Sequence, residues 1–84
     1  MKLSFDPEGW NDYVFWQQED RVMLKRVNRL IQEILRDARR GIGKPELLRF
    51  ELGEVWSRRI TSEHRMVYSI TDELLVIWQC RQHY

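Results

Sequence analysis

One cysteine and two histidines are the only thiol and imidazole groups in this 84-residue chain. The lone Cys80 excludes an intrachain disulfide, and one thiol with two imidazoles is too few for a zinc site. No apolar run is long enough for a membrane span or signal peptide, and the chain opens on Met1-Lys2-Leu3-Ser4-Phe5-Asp6. Internal repeats, low-complexity tracts and linkers are also lacking. The expectation is a single soluble domain over residues 1–84, cytoplasmic, without metal or cofactor and without a membrane partner. An excess of one charge sign is missing too: the net charge of +1 argues against a general nucleic-acid coat protein.

What is present is a globular balance, with 43% hydrophobic and 32% charged residues, too apolar for a disordered chain. A domain this small buries only roughly 60–65% of its unfolded surface, so four Trp, three Tyr and three Phe supply needed bulk. Trp10, Tyr13, Trp16, Trp56 and Trp78 read as core. Charge is uneven along the chain. Asp6, Glu8, Asp12, Glu19 and Asp20 dominate the first quarter, whereas Arg21, Lys25, Arg26, Arg29, Arg36, Arg39 and Arg40 outweigh Glu33 and Asp37 in the second. The row Lys25, Arg29, Arg36, Arg40 reads as a solvated face, with contact to RNA phosphates as its functional alternative.

Lys2 to Phe5 alternates as a short strand does. Asp6-Pro7-Glu8 supplies an N-cap acceptor, a proline at the first helical position and an acid in the first turn, so a helix is predicted over residues 7–18. Asp20 caps a second helix, whose apolar period runs from Met23 through Leu24, Val27, Leu30, Ile31, Ile34 and Leu35 to Ala38. Arg39-Arg40 falls in its last turn and Gly41 at its C-cap. The short connection predicts an antiparallel helical hairpin. Gly41-Ile42-Gly43-Lys44-Pro45 breaks the helix and forms a loop ending in Glu46. Strands are predicted over 47–52, 55–61, 65–71 and 74–81, with turns at Gly53-Glu54 and Thr71-Asp72-Glu73. Leu74 to Trp78 is apolar on both parities, which predicts a central strand covered on both faces. The class is α+β: an N-terminal strand, then an antiparallel two-helix hairpin packed on an antiparallel curved sheet.

Arg59 shares parity with Val55, Ser57 and Thr61, while Trp56, Arg58 and Ile60 point the other way. For Arg59 and Arg65 to meet on one face, the connection between their strands must hold an odd number of residues or a bulge, and that is the expectation.

These residues suit one chemistry. RNA cleavage by 2′-hydroxyl attack needs a base, cationic donors for the charged phosphorane and an acid for the leaving 5′-oxygen. Glu46 is the candidate base. Arg65 and Arg59, with planar forks that hold two phosphate oxygens at once, are the candidate clamp. His83 is the candidate acid, its protonated form favoured by the terminal carboxylate of Tyr84, and Tyr84 can stack on a base. Each has a structural alternative: a solvated loop acid, sheet-edge arginines paired with Glu51 or Glu63, and an idle terminal histidine. His64 reads as a turn residue.

The run Trp56-Ser57-Arg58-Arg59-Ile60-Thr61, then Glu63-His64-Arg65 and Val67-Tyr68, carries a resemblance, together with Gly43-Lys44-Pro45-Glu46, the ending Cys80-Arg81-Gln82-His83-Tyr84 and the early Trp10, Asp12-Tyr13 and Trp16-Gln17. It is similar to the YoeB toxins of the RelE superfamily, end to end. The resemblance implies a microbial-ribonuclease-like fold and a toxin that enters the ribosomal A site and cuts mRNA without a cofactor. It implies inhibition by a YefM-type antitoxin, and operator DNA bound through the antitoxin complex; a homodimer is a further expectation. Carried over by position, Glu46 matches the base, Arg65 the phosphate-stabilising arginine, His83 the general acid, and Arg59 and Tyr84 supporting residues. Arg49 stands where the family commonly has lysine and Leu47 where it has proline; Arg49 and Lys44 join the phosphate-binding set. Two other readings remain, a ParE-like gyrase poison on a similar scaffold and a protein-interaction module.

Overall fold

The computed structural model describes residues 1–49 and 53–82. Its elements run β1 (Lys2–Phe5), α1 (Pro7–Glu19), α2 (Arg21–Arg36), β2 (Glu46–Arg49), β3 (Glu54–Arg59), β4 (Arg65–Thr71) and β5 (Leu74–Gln79). Both helices begin where the caps predict. An Asp6 carboxylate oxygen accepts from the Glu8 amide at 3.0 Å, and Asp20 accepts from the amides of Val22 and Met23. Asp20 alone separates the helices, serving as C-cap of one and N-cap of the next.

The strands form one sheet in the order β1-β5-β4-β3-β2. The α+β class stands, and β2 to β5 are antiparallel as expected, but β1 joins β5 in parallel, which makes the sheet mixed. Buried Met23, Val27, Leu30, Ile31 and Ile34 of α2 face Met66, Tyr68 and Ile70 of β4 and Leu75 and Ile77 of β5 in one core. Gly9 lets α1 lie directly on β5, since a Cβ there would come within 2.3 Å of the Ile77 carbonyl oxygen.

Several expectations change, and the strand predicted over 55–61 ends at Arg59. The second helix stops at Arg36, short of Ala38 to Arg40, and Asp37 is its C-cap in extended backbone. The cause lies far along the chain. Arg58 is wholly buried, and its Nη2 donates to the carbonyls of Asp37 (2.7 Å) and Arg40 (2.9 Å), its Nη1 to that of Ile42 (3.1 Å) and its Nε to the Tyr68 hydroxyl (3.0 Å). The Tyr68 hydroxyl in turn donates to the Ala38 carbonyl. These carbonyls turn inward to serve a buried cation instead of continuing a helix. Arg39 leaves the helix end and pairs with Glu54, which lies opposite Ile70 and belongs to β3 and not to a turn; Gly53 before it has φ 103°.

The predicted loop ends one residue early, because Glu46 already pairs with Ser57 and opens β2. The stretch 50–52 of the predicted strand over 47–52 lies outside the described residues. A further change concerns β5, which ends at Gln79 and is covered on one face only. Leu74 and Trp78 are 37% and 43% exposed, because both helices pack on the other side of the sheet. Finally, Trp16 is buried and Tyr13 and Trp56 are half-buried, but Trp10 and Trp78 are exposed. Trp10 stacks on Tyr13 and meets Phe5 edge-on, and Trp78 donates its indole N–H to the Ser69 hydroxyl.

Candidate functional site

The helix-free face of the sheet collects the charged residues, and register explains how. Arg59 lies directly opposite Arg65, Ser57 opposite Val67, and Glu46 opposite Ser57. Opposed residues share a face, so Glu46, Arg59 and Arg65 all project to the same side, away from the helices. The connection from Ile60 to His64 holds an odd number of residues, as the parity argument requires. With strands about 4.8 Å apart and same-face residues about 6.7 Å apart along a strand, the Cα of Glu46 lies about 8 Å from that of Arg59 and about 12 Å from that of Arg65.

The register shift between Leu47 and Arg49 places Arg49 opposite Val55, which brings its guanidinium onto the Glu46 face. Lys44 is exposed in the preceding loop, at φ 51°. That loop is tied to β3 by the Arg59 amide, which donates to the Gly43 carbonyl at 2.6 Å. Gly43 itself has φ 82°, and a Cβ there would press within 2.9 Å of the Arg59 carbonyl oxygen, so glycine is demanded twice.

Arg65 is aimed by the turn before it. Its Nη1 donates to the carbonyls of Thr61 (2.9 Å), Ser62 (3.2 Å) and His64 (3.3 Å). Nε and Nη2 have no hydrogen-bond partner among the described residues. The carboxylate of Glu46 and the guanidinium of Arg59, both exposed, also make no side-chain bond among the described residues. One carboxylate and three guanidinium groups on a shared open face can bind a phosphate and receive a proton beside it.

His83 and Tyr84 lie outside the described residues, but the segment leading to them is well anchored. Trp16 donates its indole N–H to the Cys80 carbonyl at 2.8 Å, and Asp12 accepts the Cys80 amide at 3.1 Å. Arg81 lies 3.5 Å above the Phe15 ring centroid. Gln82 donates its amide to His64 Nδ1 at 2.7 Å and accepts the Arg65 amide on its carbonyl at 2.9 Å. Partial burial raises the Asp12 carboxyl above its usual range, opposed by the Cys80 amide and by Arg81. Burial pushes the Cys80 thiol up to about 12, which leaves it an inert packing group.

Sequence reasoning missed four of these positioning residues. Asp12 and Trp16 are four apart on α1, so they share a helix face, and that spacing was the available signal. Arg58 shares parity with Trp56 and Ile60, which marked it as core-facing. His64 had no such signal. Among the described residues no group of three or more His, Cys, Asp or Glu side chains is arranged to hold a metal. A pocket lined by Arg39, Glu54, Ile70 and Thr71 opens at the opposite ends of β3 and β4, away from this face.

The profile of the family described as "YoeB-like toxin of bacterial type II toxin-antitoxin system" matches residues 5–84. The Toxin YoeB of Streptomyces coelicolor is 52% identical over 84 residues, covering all of both chains. The crystallised YoeB/ParE toxin from Agrobacterium tumefaciens superposes with a TM-score of 0.92 at 44% identity over all of both chains. The YoeB of Staphylococcus aureus is similar both as a dimer (TM-score 0.89, 42% identity) and in a heterotetrameric complex with YefM (TM-score 0.87, 41% identity), each comparison covering 100% of this chain and 98% of the other.

Proposed function

The chain belongs to the YoeB-like toxins of bacterial type II toxin-antitoxin systems, and from that premise we propose that it is a ribosome-dependent endoribonuclease that cuts mRNA in the A site. The observation that carries this reading is the shared face: neighbouring strands present the Glu46 carboxylate on the same side as the guanidinium groups of Arg59 and Arg65, and the chain is held at Gln82, the residue before His83, by the Arg65 amide.

In the proposed step Glu46 takes the proton of the 2′-hydroxyl, whose oxygen attacks the adjacent phosphorus. The charge that builds on the phosphorane falls to Arg65, preorganised by three carbonyls of its own turn, and to Arg59. His83 gives a proton to the departing 5′-oxygen. The products are a 2′,3′-cyclic phosphate and a 5′-hydroxyl, and no redox or metal step is required to balance them. Tyr84 stacks on a base of the codon, while Arg49 and Lys44 hold flanking phosphates.

The complex of the S. aureus toxin with YefM supports a YefM-type antitoxin as this chain's partner, with operator DNA reached through that complex, and the S. aureus dimer supports a homodimer. The site of action on ribosomes makes the cytoplasm its place of work.

Single-turnover cleavage of mRNA on programmed ribosomes tests the assignment. Glu46→Gln and His83→Ala are each expected to slow cleavage by roughly 10²–10⁴-fold, the usual contribution of a general base or acid. Undiminished cleavage by either variant removes that residue from the mechanism.

A further inference from the structure

We propose that His64 is a positioning residue for the end of the chain, its imidazole fixing the backbone from which His83 departs. The kinetic part of this inference rests on the cleavage reading above; the structural part does not.

A backbone amide can only donate, so the 2.7 Å contact from the Gln82 amide requires that His64 Nδ1 be the unprotonated nitrogen of a neutral ring. The ring is itself held from several sides. It makes a T-shaped contact with the Trp16 ring at a centroid separation of 5.0 Å and an interplanar angle of 84°. The His64 amide donates to the Thr61 hydroxyl, and its carbonyl accepts the Ile60 amide at 2.9 Å. Trp16 also binds the Cys80 carbonyl, so one indole contacts both the clamp and the strand end that enters it.

The clamped residue needs holding. Gln82 has φ 63°, in the left-handed region that non-glycine residues adopt only where their surroundings impose it. Two bonds impose it here: the amide to His64, and the carbonyl to the Arg65 amide. His64 and Arg65 are consecutive, so one turn aims the phosphate-binding guanidinium and fixes the tail that carries the candidate acid. If the His64 bond is lost, the tail reaches the site in fewer molecules, which lowers the cleavage rate without weakening attachment to the ribosome.

Two substitutions separate the bond from the packing. His64→Asn places an acceptor oxygen as many bonds from the backbone as Nδ1 but loses the ring; His64→Phe keeps an aromatic ring against Trp16 and loses the acceptor. Amide exchange at Gln82, followed by NMR on the full chain, and single-turnover cleavage at varied toxin concentration are the readouts. For one net hydrogen bond, His64→Phe is expected to speed Gln82 exchange and lower the maximal cleavage rate, each by roughly fivefold, with the half-saturating concentration unchanged. His64→Asn is expected to stay within about twofold of wild type on both. His64→Ala is a second acceptor-free variant should the Phe variant not fold. Unchanged Gln82 exchange in the acceptor-free variants, or the opposite ranking with Asn the more damaged, overturns the clamp. A wild type that does not cleave overturns the cleavage reading instead, and the exchange ranking then decides the clamp alone.

Discussion

Arg58 and Arg59 are neighbours with opposite tasks, separated only by the alternation of a strand. Arg59 is exposed on the open face, whereas Arg58 is wholly buried and is satisfied by three carbonyls and a phenol, with no carboxylate partner among the described residues. The Tyr68 hydroxyl is held above its usual pKa by burial, although Arg58 opposes the shift. Such a cation is costly to desolvate but costlier to remove, because its acceptors at Asp37, Arg40 and Ile42 are then left unpaired. Arg58→Met is expected to destabilise the fold by about 3 kcal/mol in urea denaturation. A loss below about 1 kcal/mol would mean that those carbonyls find water instead.

At the scale of elements, α2 is held by its buried stripe. Ile34 is fully buried, while its neighbour Leu35 is 40% exposed. Thermal or urea unfolding should show a loss of about 3 kcal/mol for Ile34→Ala and no more than about 0.5 kcal/mol for Leu35→Ala. Equal effects would contradict the packing described. Much of this element was legible in the sequence, because caps and apolar period are local signals: Asp6, Pro7 and Asp20 start both helices where expected. Its end was not, since the interruption comes from Arg58, which contacts the Asp37 to Ile42 stretch only after the sheet has formed. Strand β5 shows a related limit. Its apolar residues on both parities suggested two covered faces, but Trp78 finds a hydroxyl on Ser69 and tolerates exposure. The candidate site was legible to the extent that parity governs it. Alternation allowed Arg59 and Arg65 one face only with an odd connection, where a two-residue turn was equally permitted; the five residues from Ile60 to His64 meet that condition, and pairing adds Glu46. The role proposed for His64 depends on where the tail returns, which no local pattern encodes.

The whole molecule is a sheet with helices on one side and charge on the other. The core side carries Met66, Tyr68, Ile70, Leu75 and Ile77; the open side carries Glu46, Arg59 and Arg65. Stability and proposed chemistry are thereby assigned to opposite faces of the same strands, and α1 anchors Cys80 and Arg81 from the edge through Asp12, Phe15 and Trp16. The central claim is that this face cleaves RNA by engaging the 2′-hydroxyl next to the scissile phosphate. The direct measurement is single-turnover cleavage on ribosomes programmed with two mRNAs, alike except for a 2′-deoxy sugar at the scissile nucleotide of the A-site codon. Rapid cleavage of the all-ribose message to a 5′-hydroxyl product, with the deoxy message left intact at that bond, is the result predicted; cleavage of both messages at the same rate would contradict it.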